Sequence, residues 1–126
     1  MKRLWLGLGI LAVLLAVSIA VTAGMDRVHE RIAADLDAAQ AAAETENWEQ
    51  ADALAQAAAR KWQRARRFTA AVADHGPMDD VDRQFAALMA YGAARETADF
   101  TAACAELAVQ TRAMGDSHAL TWWNLL

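Results

Sequence analysis

The sequence predicts an all-α protein: an N-terminal transmembrane helix continuing into a small antiparallel four-helix bundle with a short C-terminal helix. Three observations predict it. Leu4 to Gly24 is a run of 21 uncharged residues, LWLGLGILAVLLAVSIAVTAG. Alanine occurs 33 times among 126 residues, beside one proline and six glycines, a composition that favours helix throughout. Downstream of the run, apolar residues recur at spacings of three and four, the period of a helix face.

At about 1.5 Å per residue the apolar run spans roughly 31 Å as a helix, close to the hydrocarbon thickness of a bilayer. Lys2 and Arg3 precede it, and Asp26, Arg27, His29, Glu30 and Arg31 follow at once. Residues 1–24 therefore read as an anchor in contact with membrane lipid through residues 4–24, and residues 25–126 as a bundle domain. The run exceeds the usual core of a secretory signal, and helical pattern resumes without a break after Gly24. The alternative is a secreted bundle after cleavage at Ala23, since Val21-Thr22-Ala23 offers small residues at the right place. Lysine and arginine are nearly balanced across the two flanks. The very short N-terminal tail then favours an amino terminus in the cytoplasm and a domain on the outer side of the cell membrane. Ala12, Ala16, Ala20 and Gly24 recur every four residues, a strip of small side chains that lets another membrane helix approach closely. An alanine-rich chain also produces such ladders by chance.

The first helix is expected to run on to about Glu44, with Val28, Ile32, Leu36, Ala39 and Ala43 along one stripe. Thr45-Glu46-Asn47 interrupts it, and Asn47 followed by Gln50 is a cap with its reciprocal partner. The second helix carries the clearest period, Trp48, Ala51, Ala55, Ala58, Trp62, Ala65, Thr69 and Val72, a heptad-like seam. Trp48 and Trp62 read as core, with ligand stacking as the alternative. His75-Gly76-Pro77 ends this helix. Asp79, Asp80 and Asp82 crowd the first turn of a third helix, where the macrodipole favours negative charge, and its stripe is Val81, Phe85, Leu88, Met89 and Gly92. Thr97 is expected to cap a fourth helix with Phe100, Cys104, Leu107, Thr111 and Met114 on one face. Gly115 is expected to close it, leaving a last short helix that ends Trp122-Trp123-Asn124-Leu125-Leu126.

The sequence holds little that resembles catalytic chemistry, and it is not expected to be an enzyme. His29-Glu30 is followed by Ala33 where a zinc-protease motif requires its second histidine. His75 and His118 have no histidine or cysteine at ligand spacing, and the aspartate cluster lacks the spacing of a calcium loop. Cys104 is the one cysteine, so no intramolecular disulfide forms, and its place on an apolar face describes an inert core thiol. No cofactor, metal or small-molecule ligand is indicated. Without Lys2 and Arg3 the chain has 10 basic residues against 16 acidic ones, a poor balance for binding nucleic acid.

One charge cluster stands out. Arg60, Lys61, Arg64, Arg66 and Arg67 lie within eight residues of an otherwise acidic domain. If the second helix returns antiparallel to the first, positions 60 to 67 sit roughly 12 to 2 Å above the membrane. At that height they can meet anionic headgroups, or they serve as ordinary positive charge toward a helix C-terminus. The same up-and-down path returns Trp122 and Trp123 toward the interface, where indoles are enriched, unless they close the open end of the bundle.

The opening MKRLW, the Asn47-Trp48-Glu49-Gln50-Ala51 helix start, Trp62, Asp74-His75 before Met78-Asp79-Asp80-Val81, and the final Asn124-Leu125-Leu126 together resemble the short bacterial membrane proteins grouped as domain of unknown function 4363. The resemblance covers nearly the whole chain, although the family pattern is more acidic on the second helix where this chain is basic. It implies a single-pass protein with a small extracytoplasmic helical domain, and no reaction. The sequence therefore points to a membrane-anchored interaction or accessory protein that binds a membrane or envelope partner or a second copy of itself. A sensor domain holding a small ligand between helices near Trp48, Trp62 or Phe85 is the alternative.

Overall fold

The described residues form four helices: α1, Lys2–Glu44; α2, Trp48–Thr69; α3, Gly76–Ala94; and α4, Thr97–Trp123. The computed structural model describes residues 1–69 and 76–123, with side chains through 116. The seam position Val72, His75 and the terminal Asn124-Leu125-Leu126 lie outside the described residues, as do the side chains of His118, Trp122 and Trp123.

The first helix is unbroken over 43 residues. Nothing else in the described chain covers its apolar half, where Leu8, Ile10, Leu14, Val17 and Ile19 are all exposed. Inside that half the Thr22 hydroxyl donates to the Ser18 carbonyl at 2.9 Å. A hydroxyl paired within its own helix is tolerable where no water can serve it. From His29 onward one face turns into a core, and Ile32, Leu36, Ala39 and Ala43 of the expected stripe are buried.

Cross-helix pairs show each helix running antiparallel to the one before. Lys61 on α2 meets Asp35 on α1 at 2.5 Å. The Trp62 indole on α2 donates to Asp82 on α3 at 2.7 Å. Arg112 on α4 bridges Glu30 and Asp37 on α1 at 3.2 and 2.7 Å. The helices pack around a square: α1 and α3 each lie against α2 and α4, and across the α2–α4 diagonal the Trp48 and Phe100 rings meet.

Both turns at the end far from the apolar helix use one device. Glu46 and Arg95 adopt φ of 59° and 57°. After α1, the Glu46 and Asn47 N–H groups donate to the carbonyls of Ala43 and Ala42 at 3.0 and 2.9 Å. After α3, Arg95 and Glu96 do the same to Gly92 and Tyr91 at 3.2 and 3.0 Å. These are paired Schellman closures, which satisfy the last carbonyls of a helix. Asn47 then caps α2: its side-chain Oδ1 accepts the Gln50 N–H at 3.3 Å, and its side-chain amide donates to Gln50 Oε1 at 3.0 Å.

The core is built from the residues the periodicity selects. Ile32, Leu36, Trp62, Phe85, Leu88, Phe100, Cys104 and Leu107 are buried, and Trp48 packs half-buried at the edge. On α2 every other buried residue is alanine, at 51, 55, 58 and 65, so α1 and α3 can come close to its backbone. Gly92 allows a similar approach at the far end. A Cβ there would stand 2.9 Å from Asp52 Oδ1 and 3.3 Å from the Phe100 ring.

Two expectations are corrected. Gly115 does not close α4, which runs on to Trp123, so the separate short C-terminal helix is a continuation of α4. An interior glycine weakens a helix by only about 1 kcal/mol. Here Gly115 is held against α1, with His29 Cβ 3.6 Å from where its own Cβ would stand. Thr97 is the first residue of α4 instead of its cap, because the Phe100 N–H donates to the Glu96 carbonyl at 2.9 Å.

Candidate functional site

The end of α2 lies beside the point where α1 passes from apolar to polar sequence. Gly24 has no side chain and Ala65 a small one, and together they leave a notch between the two helices. Around it Val21, Met25, Val28 and Phe68 complete an apolar wall. Arg31, Lys61 and Arg64 stand at its polar end, and the groove encloses about 490 Å³. Phe68 is 64 % exposed although it is a large apolar side chain. Its neighbours in the groove, Val21 and Gly24, belong to the last turns of the apolar run.

The five basic residues of α2 divide by partner. Lys61 is taken up by Asp35, and Arg66 pairs with Asp79 at 2.9 Å and with Asp82. Among the described residues Arg60, Arg64 and Arg67 have no ion pair, and neither do Arg27 and Arg31 on the adjoining stretch of α1. The side of the molecule around the α1–α2 groove is thus cationic. The opposite side of α1 is acidic: Asp26, Glu30 and Asp37 lie toward α4, where Arg112 gathers Glu30 and Asp37. Its hydrogen bonds to Glu30, and then to Asp37, raise the Arg112 guanidinium above its ordinary pKa.

The aspartates of α3 are absorbed in the same way. Asp79 and Asp82 hold Arg66, Asp82 also accepts from Trp62, and Asp80 pairs with Arg83. Among the described residues no group of three or more His, Cys, Asp or Glu side chains is placed to hold a metal ion.

The aromatic candidates are engaged by protein. Trp48 meets Phe100 edge-on at 5.3 Å, and the Arg95 guanidinium lies 5.1 Å from the centre of the Trp48 ring. Arg95 is in turn tied to Asp52 at 2.7 Å. Trp62 and Phe85 are buried, and none of these rings lines the groove. Cys104 is buried, and that burial, with the charge of Asp37 adding to it, pushes its thiol up to about 12. Such a thiol supplies almost no thiolate for nucleophilic chemistry at neutral pH.

Ala12, Ala16, Ala20 and Gly24 are all exposed on the apolar half of α1, and Gly24 borders the groove. The groove itself brings together residues that no sequence pattern groups: Met25, Arg31 and Phe68, beside Val28 from the first helix's stripe. The signal for it is register. Lys61 opposite Asp35 places Arg64 and Ala65 near Arg31, and Phe68 near the end of the apolar run.

No curated protein and no solved structure matches the chain. The family model described as domain of unknown function 4363 matches residues 19–125. The match begins inside the apolar helix and takes in every residue around the groove and nearly all of the bundle. The chain belongs to the domain of unknown function 4363 family.

Proposed function

We propose that this is a single-pass membrane protein whose bundle stands on the bilayer and acts by binding a membrane or envelope partner, not by turnover. The observation that carries the reading is α1. Among the described residues nothing buries its apolar half, which is long and apolar enough to cross a membrane and continues as the same helix into the bundle core. A bundle attached through an unbroken helix stands at a defined height above the bilayer, with its unpaired arginines at the level of the headgroups. The engagement of Trp48, Trp62 and Phe85 by other side chains favours a partner surface over a ligand held between the helices. In this reading Lys2 and Arg3, before the apolar run, stay in the cytoplasm and the domain stands on the extracytoplasmic side.

The partner surface within the membrane is the strip of Ala12, Ala16, Ala20 and Gly24, which a second helix approaches most closely. Purification of the full chain in mild detergent is expected to recover a stoichiometric partner or a second copy, lost on Ala16→Leu with Ala20→Leu. Recovery of the same lone monomer from wild type and variant sinks the reading. A C-terminal reporter that is active only outside the cytoplasm checks the orientation.

A further inference from the structure

We propose that the α1–α2 groove is a binding site for one anionic phospholipid of the leaflet on which the bundle stands. The inference rests on the membrane reading above and goes beyond it by naming a ligand and a site.

The groove is graded as an amphiphile is graded. Its lower wall, Val21, Gly24, Met25 and Phe68, is apolar and begins within the apolar run. Its upper end carries Arg31 and Arg64, while Lys61 is already neutralised by Asp35. Arg64 stands one helical turn above Phe68, about 6 Å, and Arg31 about 10 Å above Gly24. If the hydrocarbon ends near Gly24, both heights are within reach of the headgroup layer, and long arginine side chains adjust the remainder.

Charge complementarity selects the headgroup. Arg66, Arg83, Arg95 and Arg112 each pair with a carboxylate of the chain, whereas Arg31 and Arg64 do not pair with any described residue. Two arginines from different helices line the groove, and guanidiniums suit planar, two-pronged recognition of a phosphate. The acidic side of α1 faces away, toward α4. The volume, about 490 Å³, lies within the range of small-molecule sites. It admits part of one lipid, with the rest of its chains in the bilayer. A bound lipid would also cover Phe68, which the bundle leaves exposed.

The test uses the full chain. Carbonate extraction of membranes first establishes that it is embedded. The protein is then released from detergent containing equal amounts of phosphatidylglycerol and phosphatidylcholine, and retained lipid is read by native mass spectrometry. One lipid per chain is expected, with phosphatidylglycerol favoured about tenfold. Arg31→Gln with Arg64→Gln should bring the preference close to parity. Arg60→Gln with Arg67→Gln, the same change of charge outside the groove, should leave it intact. Gly24→Leu should expel the lipid while both arginines remain. A Cβ at Gly24 meets no other heavy atom within 4 Å, so the larger side chain starts into open space, and circular dichroism checks that the fold is kept.

An embedded chain that retains no lipid, or shows no headgroup preference, overturns the proposal and leaves the membrane reading standing. Equal loss in the two arginine pairs also overturns it, because a diffuse basic surface then explains the preference. A chain that carbonate extracts ends both readings.

Discussion

Glu46 and Arg95 hold the same left-handed backbone at the same kind of turn, yet the two side chains have different uses. Arg95 lies against Trp48 and pairs with Asp52, so its strain is offset by contacts. Glu46 is exposed and makes no side-chain contact of this kind with the described residues. Glu46→Gly is therefore expected to stabilise the bundle by about 0.5–1 kcal/mol, and Arg95→Gly to destabilise it, as urea unfolding followed by circular dichroism would show. Cys104 gives a prediction in pH. Unfolded, its thiol ionises near 9.0; folded, it keeps its proton to about 12. The raised value means that its contribution is fully present below pH 9 and is lost as pH rises, at up to about 1.4 kcal/mol per pH unit. Melts from pH 8 to 10.5 should show wild type losing stability more steeply than Cys104→Ala. Alkylation of the native thiol should remain slow until the protein unfolds.

At the scale of the element, α2 shows how an alanine-rich helix can be a core helix. Ala51, Ala55, Ala58 and Ala65 bring backbones together, and Trp62 supplies the one large buried surface and a hydrogen bond to Asp82. Ala55→Leu forces extra volume into a seam with no space for it and is expected to cost about 1–3 kcal/mol. Ala53→Leu, on the exposed face of the same helix, should be close to neutral in the same unfolding measurement. The two substitutions add the same atoms, so the difference reports packing alone. The periodicity makes this seam legible, because a spacing of three and four leaves only one stripe to bury. It does not show that Arg66 turns toward α3 to meet Asp79 and Asp82, since the partners of a charge depend on which helix lies beside it.

For the whole molecule the apolar half of α1 is the governing feature. An arginine at its centre raises the cost of insertion by about 2.5–3.5 kcal/mol. Leu14→Arg is accordingly expected to move the chain from the carbonate-resistant to the extractable fraction. It should leave the helicity of the bundle unchanged, because Leu14 touches none of it. A chain still fully carbonate-resistant after that change would show that the apolar half is not what holds it in the membrane.

The sequence by itself determined the helical class, the uncovered apolar helix, the interruption at Thr45-Glu46-Asn47, the cap at Asn47 and most of the buried positions. These follow from local chemistry: a helix period selects a face, and a capping side chain acts within one turn. Glycine was the local signal that misled, since its small cost at position 115 is outweighed by packing against α1. Only the tertiary structure decided which arginines are spoken for and which are left over, and that Gly24, Arg31, Arg64 and Phe68 border one groove. Their meeting depends on the register of two antiparallel helices, and register is set by the whole set of packed and paired residues between them, from Asp35 and Lys61 to the alanines of α2.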